Sequence, residues 1–366
     1  MNHYKIAVIP GDGIGPEVIP EGLQTLKELA EIGGNFQFEV EEFNWGSERY
    51  LREGSMMPSD AVATLERGGF DAMLVGPVGD SRVPDHITLW GLLLPIRQGL
   101  EQYINLRPMR LLPGVRTPLA DKGPQEIDMI CVRENVEGEY AGIGGRLYRG
   151  KSEEIAIQDI VFTRKGTERV IRFAFEYART HGRKKVTSAT KSNSMQFNMV
   201  FWDDVFKDVV KDYPDITSEQ QLIDSLSARF VSKPESLDVI VGSNLFGDIL
   251  SDLGASISGS MGLAPSANLN PERRYPSLFQ AIHGSAPDIS GKGISNPIAT
   301  IWSVQMMLDH LGETEAATTL MSAIEAVLEA GKVHTPDLGG QSTTREMGEA
   351  VRARLRERAN SVNRRA

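Results

Sequence analysis

The sequence is poor in the features that would place it outside ordinary globular chemistry. Its 366 residues include one cysteine, Cys131, within the apolar run IDMICV. A lone cysteine excludes an intrachain disulfide framework and a zinc site built from several thiolates. It reads as a small buried hydrophobe. No apolar run approaches the roughly 18 residues that a membrane span needs. The start MNHYKIAVIP has no charged lead, apolar stretch and cleavage site in succession, so no signal peptide is expected and the protein is expected to be cytoplasmic. Positive charge is in deficit, with a formal net charge of -10. That balance argues against general binding to nucleic acid or an anionic membrane. An anionic ligand would need a local group of arginines to overcome the overall field. Repeats and low-complexity tracts are absent as well.

What is present is a chain with 40% hydrophobic residues, enough for a substantial core, in which β-branched runs alternate with helical patterns. Strands are expected at 5–10, 36–43, 72–78, 127–134, 154–163, 184–191, 228–231 and 237–244. Helices are expected at 16–30, 59–67, 167–180, 195–211, 296–311 and 314–330. The stretch 89–108, LWGLLLPIRQGLEQYINLRP, also reads as helical. This alternation predicts an α/β fold with a largely parallel sheet. The segment 110–124 is a Pro- and Gly-rich loop, 144–158 reads as a hairpin or arm, and the Arg-rich tail from 351 reads as a solvated helix.

Two glycine-rich stretches are candidate ligand loops. IPGDGIGPE (9–17) follows a strand and opens a helix. Its Gly11, Gly13 and Gly15 do not match the dinucleotide spacing G-x-G-x-x-G, and it lacks the Lys–Ser/Thr pair of a P-loop. A tight strand-to-helix turn, with Pro16 in the first helical turn, explains it equally well. AIHGSAPDISGKGISNPIA (281–299) is longer, with one acid, Asp288, before a helix near Asn296. Such a loop can wrap a ligand at close backbone range, and its acid can accept from a ribose diol while repelling a 2′-phosphate.

The charged candidates are Arg97, Arg107 and Arg133, near helix or strand ends, whose planar forks suit bidentate capture of carboxylates. Asp248 and Asp252 stand four residues apart in NLFGDILSDLG, on one face of a helix. Like charges at that spacing repel. A divalent cation between them reverses the sign, and hard oxygen ligands favour Mg²⁺ or Mn²⁺. Asp224 is a candidate third ligand. The competing reading is a pair of acids meeting the helix dipole. Lys191, after a strand, is a candidate base, and Tyr140 a candidate proton donor.

Taken together, PGDGIGPE, NLRP, VRENVEGEYAG, TSATKSN, NLFGDILSDL and HGSAPDISGKGISNP resemble, in order and over nearly the whole chain, the β-decarboxylating dehydrogenases. WGLLLPIRQ, ENVEGEYAG, SNLFGDILSDLG and APSANLNPERRYPSLF look closest to the branch acting on D-malate and tartrate. The resemblance implies an isopropylmalate/isocitrate dehydrogenase-like two-domain fold with a mixed, largely parallel sheet, not the Rossmann fold. One discontinuous cofactor domain would comprise 1–102 and 257–366. The segment 103–256 would form a substrate and dimerisation domain, with an arm near 135–158. By motif match, Arg97, Arg107 and Arg133 bind substrate carboxylates. Asp248 and Asp252 bind the metal from one subunit of a homodimer, while Asp224 and Lys191 reach in from the other, so the active sites are shared. His283, Gly284, Ser285, Ala286, Asp288, Ile289 and Asn296 wrap the cofactor, and Asn193 approaches the nicotinamide. Asp288 and Ile289, where NADP-using relatives carry Lys and Tyr, point to NAD. A monovalent cation is a further candidate cofactor.

The implied reaction is NAD- and metal-dependent oxidation, with decarboxylation, of a small 2-hydroxy dicarboxylic acid. The metal would acidify the 2-hydroxyl, Lys191 with Asp224 would take its proton, and Tyr140 would protonate the enol carbon left by carbon dioxide. Trp90, Leu93, Leu94 and Arg97 are expected on one helix face, with Trp90 narrowing the pocket toward malate or tartrate. The rival substrate is 3-isopropylmalate. Rivals of other classes are a non-catalytic nucleotide- or metal-binding protein, and a Mg²⁺-dependent phosphoryl transferase, which would lack its phosphate-binding lysine motif.

Overall fold

A computed structural model describes residues 1–33 and 35–363. The chain forms two compact units: Met1–Gln102, Arg110–Pro124 and Ala255–Ala366 make the first, Tyr103–Met109 and Gln125–Gly254 the second. The loop 110–124 thus clusters with the first unit. Each unit is a largely parallel sheet layer clothed by helices, and the first contains an antiparallel pair.

In the first unit the strands lie in the order β2 (Phe36–Glu42), β1 (Asn2–Ile9), β3 (Ala72–Val75), β12 (Ser277–Ala281), β11 (Pro265–Leu269). All pairs are parallel except β11 with β12. Strand β1 lies between β2 and β3. Its apolar end Ile6–Ile9 is almost fully buried and pairs Ile6 with Ala72 through Ile9 with Val75. Continuous apolar runs of this kind mark strands covered on both faces. The covering helices include α1 (Gly15–Ile32), α10 (Ile298–Leu311), α11 (Thr314–Ala330) and α12 (Thr344–Asn363). The last is not simply a solvated tail. Val351 and Leu355 are buried, and Arg352 lies buried against Glu21 of α1 at 2.7 Å.

The stretch 89–108 departs from the single helix expected. After α2 (Ser47–Glu53), α3 (Ala61–Arg67) and α4 (Asp85–Thr88), residues 89–93 form a π turn and α5 covers only Leu94–Gly99. Pro95 has no N–H to give to Gly91, four residues back, and one extra residue in the turn absorbs that gap. The turn also separates the four residues expected on one face: Leu93, Leu94 and Arg97 are buried while Trp90 is 39% exposed. Beyond Gly99 the chain becomes strand β4 (Ile104–Arg110), where buried and half-buried residues alternate. That is period 2, not 3.6.

The second unit carries β4, β5 (Asp128–Glu134), β10 (Val239–Gly242), β8 (Lys185–Thr190) and β9 (Thr217–Leu222) in that order, with β5, β10, β8 and β9 parallel. Its helices are α6 (Arg164–Thr180), α7 (Asn198–Val210), α8 (Ile223–Ser232) and α9 (Asn244–Ile257). Residues 228–231, expected as a strand, belong to α8. Their apolar content serves a helix face, since Leu226 and Phe230 are buried four residues apart. Strands β6 (Gly144–Leu147) and β7 (Ile155–Gln158) form a separate antiparallel hairpin whose residues are all exposed. Among the described residues no helix is long and apolar enough to cross a membrane.

Candidate active site

The second unit gathers five of the singled-out side chains at one place. Helix α9 begins directly after β10, with Phe246 and Leu250 buried on its inner face. Asp248 and Asp252 project one turn apart. Arg107, from β4, donates to Asp248 at 3.0 Å and to the Ser251 hydroxyl at 2.7 Å, and lies 3.6 Å from Asp252. Arg133, from the end of β5, pairs with the same Asp248 oxygen. The Tyr140 hydroxyl reaches the other oxygen at 3.4 Å. The two arginine side chains are 6% and 2% exposed. The Arg107 Nε hydrogen has no partner among the described residues.

Electrostatics follow from this crowding. Burial, and then the charge of Asp248, push the Asp252 carboxyl above its ordinary range, with Arg107 opposing. Burial first and Asp248 second also hold the Tyr140 phenol in its protonated form. Burial dominates at Cys131 too, pushing its thiol up to about 12, so it stays a neutral core group. The ionised form of Asp252 is therefore disfavoured in the bare chain. Two hard oxygens one helical turn apart, on a side with water access, fit a divalent cation.

Arg133 is fixed along its whole length. A methyl group placed on Gly247 would lie 2.6 Å from the Arg133 Cβ and 2.7 Å from its Cγ, so only glycine lets α9 come this close to the arginine stem. At the head, Asn244 Oδ1 accepts from Nε at 3.0 Å and from Nη2 at 2.6 Å. The guanidinium lies 5.6 Å from the centre of the Tyr140 ring, within cation–π range. Asn244 is fully buried and donates to the Glu137 carbonyl at 3.3 Å. Its neighbours hold Glu139, whose carboxylate accepts from the Ser243 hydroxyl at 2.8 Å and the Leu245 amide at 3.0 Å. The start of α9 is thereby tied to the turn that presents Tyr140.

Lys191 and Asp224 form a second pair, 2.5 Å apart, and this contact holds the Asp224 carboxyl below its ordinary range. Within one protomer Asp224 stands apart from Asp248 and Asp252: no cluster of three or more His, Cys, Asp or Glu able to hold a metal occurs among the described residues. Asn193 is exposed and touches the Ser194 hydroxyl at 3.4 Å.

Arg97, 4% exposed on α5, and the long glycine loop belong to the first unit. The short loop 9–17 there is a turn whose conformation is fully used by the fold. Asp12 accepts from the Ser47 amide and hydroxyl and from the Gly79 amide, at 2.7–2.8 Å. The Ile14 amide donates to the Ser285 carbonyl at 2.9 Å, and a Cβ on Gly13 (φ 58°) would sit 2.0 Å from that oxygen. The short loop therefore buttresses the long one. Glu17, which sequence reasoning passed over, does the same by accepting from the Gly291 amide at 2.6 Å and the Ser295 hydroxyl at 3.2 Å. Gly284, Gly291 and Gly293 have open space where a Cβ would stand, and Asp288 is exposed. Ala286 takes a left-handed φ of 44°, and its carbonyl receives the Ile289 and Ser290 amides at 3.1 Å.

Two residues of this loop bear on ligand fit. His283 Nδ1 lies 3.0 Å from the Gly284 carbonyl. A carbonyl only accepts, so Nδ1 carries the proton and Nε2 is a bare acceptor. That Nε2 is buried with no partner among the described residues, and burial lowers the imidazole pKa so that the ring stays neutral. A ligand N–H or O–H would satisfy it. Asn296 is oriented by Asp337, which accepts from its amide at 3.0 Å and also receives the Ser260 and Thr335 hydroxyls at 2.5 Å. Asp337 was not singled out from the sequence; a lone acid after a proline in TPDL gives no charge pattern to notice.

Comparison with known proteins decides the family. The isocitrate/isopropylmalate dehydrogenase model matches residues 5–351. The chain belongs to that family, whose members are oxidoreductases. It is 52% identical over 358 residues to the D-malate dehydrogenase (decarboxylating) of Escherichia coli strain K12, covering 96% of this chain and 98% of that protein. It is 49% identical over 356 residues to the tartrate dehydrogenase/decarboxylase of Pseudomonas putida, covering 95% and 96%. The crystal structure of isocitrate dehydrogenase from Methylococcus capsulatus superposes with a TM-score of 0.85 at 37% identity, covering 96% of this chain and 99% of that one. The fold expected from the motifs is the fold observed.

Proposed function

We propose that the protein oxidises and decarboxylates a small 2-hydroxy dicarboxylate, D-malate or tartrate, with NAD and Mn²⁺ or Mg²⁺. The observation that carries this reading is the charge balance around Asp248. Two buried guanidinium groups face two carboxylates. A divalent cation added to that set leaves two positive charges, which a dicarboxylate neutralises. The names of the relatives at about half identity support the same substrate class, and Trp90 is the residue that sets the size of its C3 substituent.

In this reading Arg97, Arg107 and Arg133 hold the carboxylates. Asp248 and Asp252 hold the metal from one protomer, and Asp224 and Lys191 come from its partner. When bound, the metal supplies Lewis acidity at the 2-hydroxyl. The nicotinamide would supply the hydride acceptor. Lys191, as the neutral amine released from its ion pair with Asp224, takes the hydroxyl proton. Tyr140, kept protonated by burial and by Asp248, gives a proton to the carbon that loses carbon dioxide. His283 to Ile289 and Asn296 bind the adenosine half, Asp288 selects NAD over NADP, and Asn193 lies toward the nicotinamide. A monovalent cation would serve as an accessory ion. The first unit is thus the cofactor domain and the second the substrate and dimerisation domain.

The homodimer is supported by the second unit's surface. Ile143, Leu147, Tyr148, Ile155 and Ile157 on and beside the hairpin, and Phe197, Val200, Val231 and Ile249 on or beside its helices, are exposed apolar side chains. A two-stranded hairpin alone is marginal in water, so a second copy is the expected cover. The deciding experiment is NADH formation from D-malate, the tartrate stereoisomers and 3-isopropylmalate with NAD and Mn²⁺. A kcat/KM at least tenfold higher for D-malate or a tartrate is expected; preference for 3-isopropylmalate overturns the substrate assignment, and no NADH from any of them overturns the activity.

A further inference from the structure

We infer that Asn244 is a positioning residue for substrate binding: it aims Arg133 while leaving that arginine's charge available to a ligand carboxylate. Arg133 has five N–H bonds. Nε and one Nη2 hydrogen go to the single oxygen Asn244 Oδ1, and one Nη1 hydrogen goes to Asp248. Two hydrogens, one on each terminal nitrogen, remain. Both lie in the guanidinium plane, whose orientation the Asn244 contact sets, and they leave two donors for a ligand carboxylate.

The chemistry of the acceptor matters as much as its place. Buried guanidinium groups usually meet carboxylates, which cancel their charge. Arg133 does meet one carboxylate, Asp248, through a single Nη1 hydrogen, but the contact that fixes its plane is a neutral amide. Its own orientation is not free, because the Asn244 Nδ2 is held by the Glu137 carbonyl and the residue is fully buried. Gly247 pins the arginine stem from the same helix. The Tyr140 ring sits against the guanidinium, so an aimed Arg133 also sets the ring of the proposed proton donor. One helix start therefore orders a substrate-binding and a proton-donating group together. Nothing in charge patterning marks Asn244, because it carries no charge.

This inference rests on the proposed role of Arg133, and the experiment separates the two. Three variants of the full chain are compared: Asn244→Asp, Asn244→Ala and Arg133→Met. Steady-state kinetics use D-malate or the best substrate of the panel, with NAD varied independently, and thermal melting is followed alongside. Asp is isosteric with Asn, accepts the same two hydrogen bonds from Arg133 and starts helices equally well, but it cannot donate to the Glu137 carbonyl. A purely structural role would therefore lower the melting temperature of both Asn244 variants and leave the substrate KM of the folded enzyme unchanged. The inference expects the dicarboxylate KM to rise about 30-fold in Asn244→Asp, because its carboxylate neutralises the guanidinium, and comparably in Asn244→Ala, because the fork loses its plane. The KM for NAD should stay within about twofold, and kinetics are read well below the melting temperature of each variant. Arg133→Met should lose substrate affinity at least as strongly. An unchanged substrate KM in Asn244→Asp, with Arg133→Met impaired, overturns the inference. An unimpaired Arg133→Met overturns the role of Arg133 itself.

Discussion

Asp12 in the first unit and Asp248 in the second are both carboxylates near the start of a helix, and each accepts hydrogen bonds from three groups or more. Their donors differ in kind. Asp12 is 6% exposed and is met by two backbone amides and one hydroxyl, all neutral and all built into the fold. Asp248, with a third of its side chain exposed, is met by two guanidinium groups and a phenol. The first set is complete and has no use for an ion. The second concentrates mobile charge that a metal and an anionic substrate would redistribute. A motif acid therefore reveals its work through its donors more than through its position at a helix start.

Removing the charge of Asp248 should have the largest effect. Asp248→Asn keeps the shape but deprives the proposed metal site of an anionic ligand, and kcat should fall by about 10³-fold or more. The measurement is NADH formation across a Mn²⁺ titration. A variant within tenfold of the parent would make Asp248 a structural acid like Asp12. The converse variant, Asp12→Ala, breaks three hydrogen bonds to a buried charge and should cost about 3 kcal/mol of stability in urea unfolding. The Mn²⁺ concentration for half-maximal activity should stay within about twofold. If it moved tenfold, the division between a fold-building and a reactive carboxylate would fail.

Glu134 refines the comparison, since it combines features of both acids. Like Asp12 it is buried and accepts backbone amides, from Val136 at 3.0 Å and Glu137 at 2.9 Å. Yet burial outweighs those amides and pushes its pKa up to about 7. A carboxyl with a raised folded-state pKa binds more protons folded than unfolded between about pH 4.5 and 7. Stability should therefore fall as the pH rises through that window and level off above it. The loss is about 3 kcal/mol. Glu134→Gln, which has no proton to release, should lack this slope. Chemical denaturation at pH 5, 6, 7 and 8 would read it. A parent that gains stability across the window would show that the two amides win over burial.

The divide between what the sequence announces and what it conceals follows the same physics. Charged residues at regular spacing are legible: Asp248 and Asp252 declare a shared face by their four-residue separation, and Arg133 stands out at the end of an apolar run. The parallel α/β class follows from β-branched runs alternating with helical ones. Strand β4 was obscured because the helical leucine pattern before Gly99 runs straight into INLRP, and α8 because ARFV is too short for periodicity to choose. Strands β9, β11 and β12 went unnoticed for a related reason. β9 is the polar run TSEQQL, and Pro265 and Asn268 interrupt the apolar pattern of β11. Neutral partners leave no trace of their duty: Asn244 meets Arg133 across 111 positions of sequence, and only the fold brings them together.

Asp288 extends the comparison to an acid in open water, where the expected effect is smallest. It is exposed in the loop that follows His283, and it is proposed to disfavour the 2′-phosphate of NADP. Two unit charges about 4 Å apart in water interact by only about 1 kcal/mol, and a phosphate bears up to two charges. Neutralising Asp288 should therefore change the ratio of NAD to NADP kcat/KM by about tenfold, equivalent to about 1.4 kcal/mol. The same argument fixes a second signature. Exposed charges are screened by salt over about 8 Å at physiological ionic strength. Raising salt should narrow the parent's NAD preference and leave that of Asp288→Asn nearly flat. A preference that ignores both the substitution and the salt would assign cofactor choice to the shape of the loop, through Ala286 and Ile289, instead of its charge.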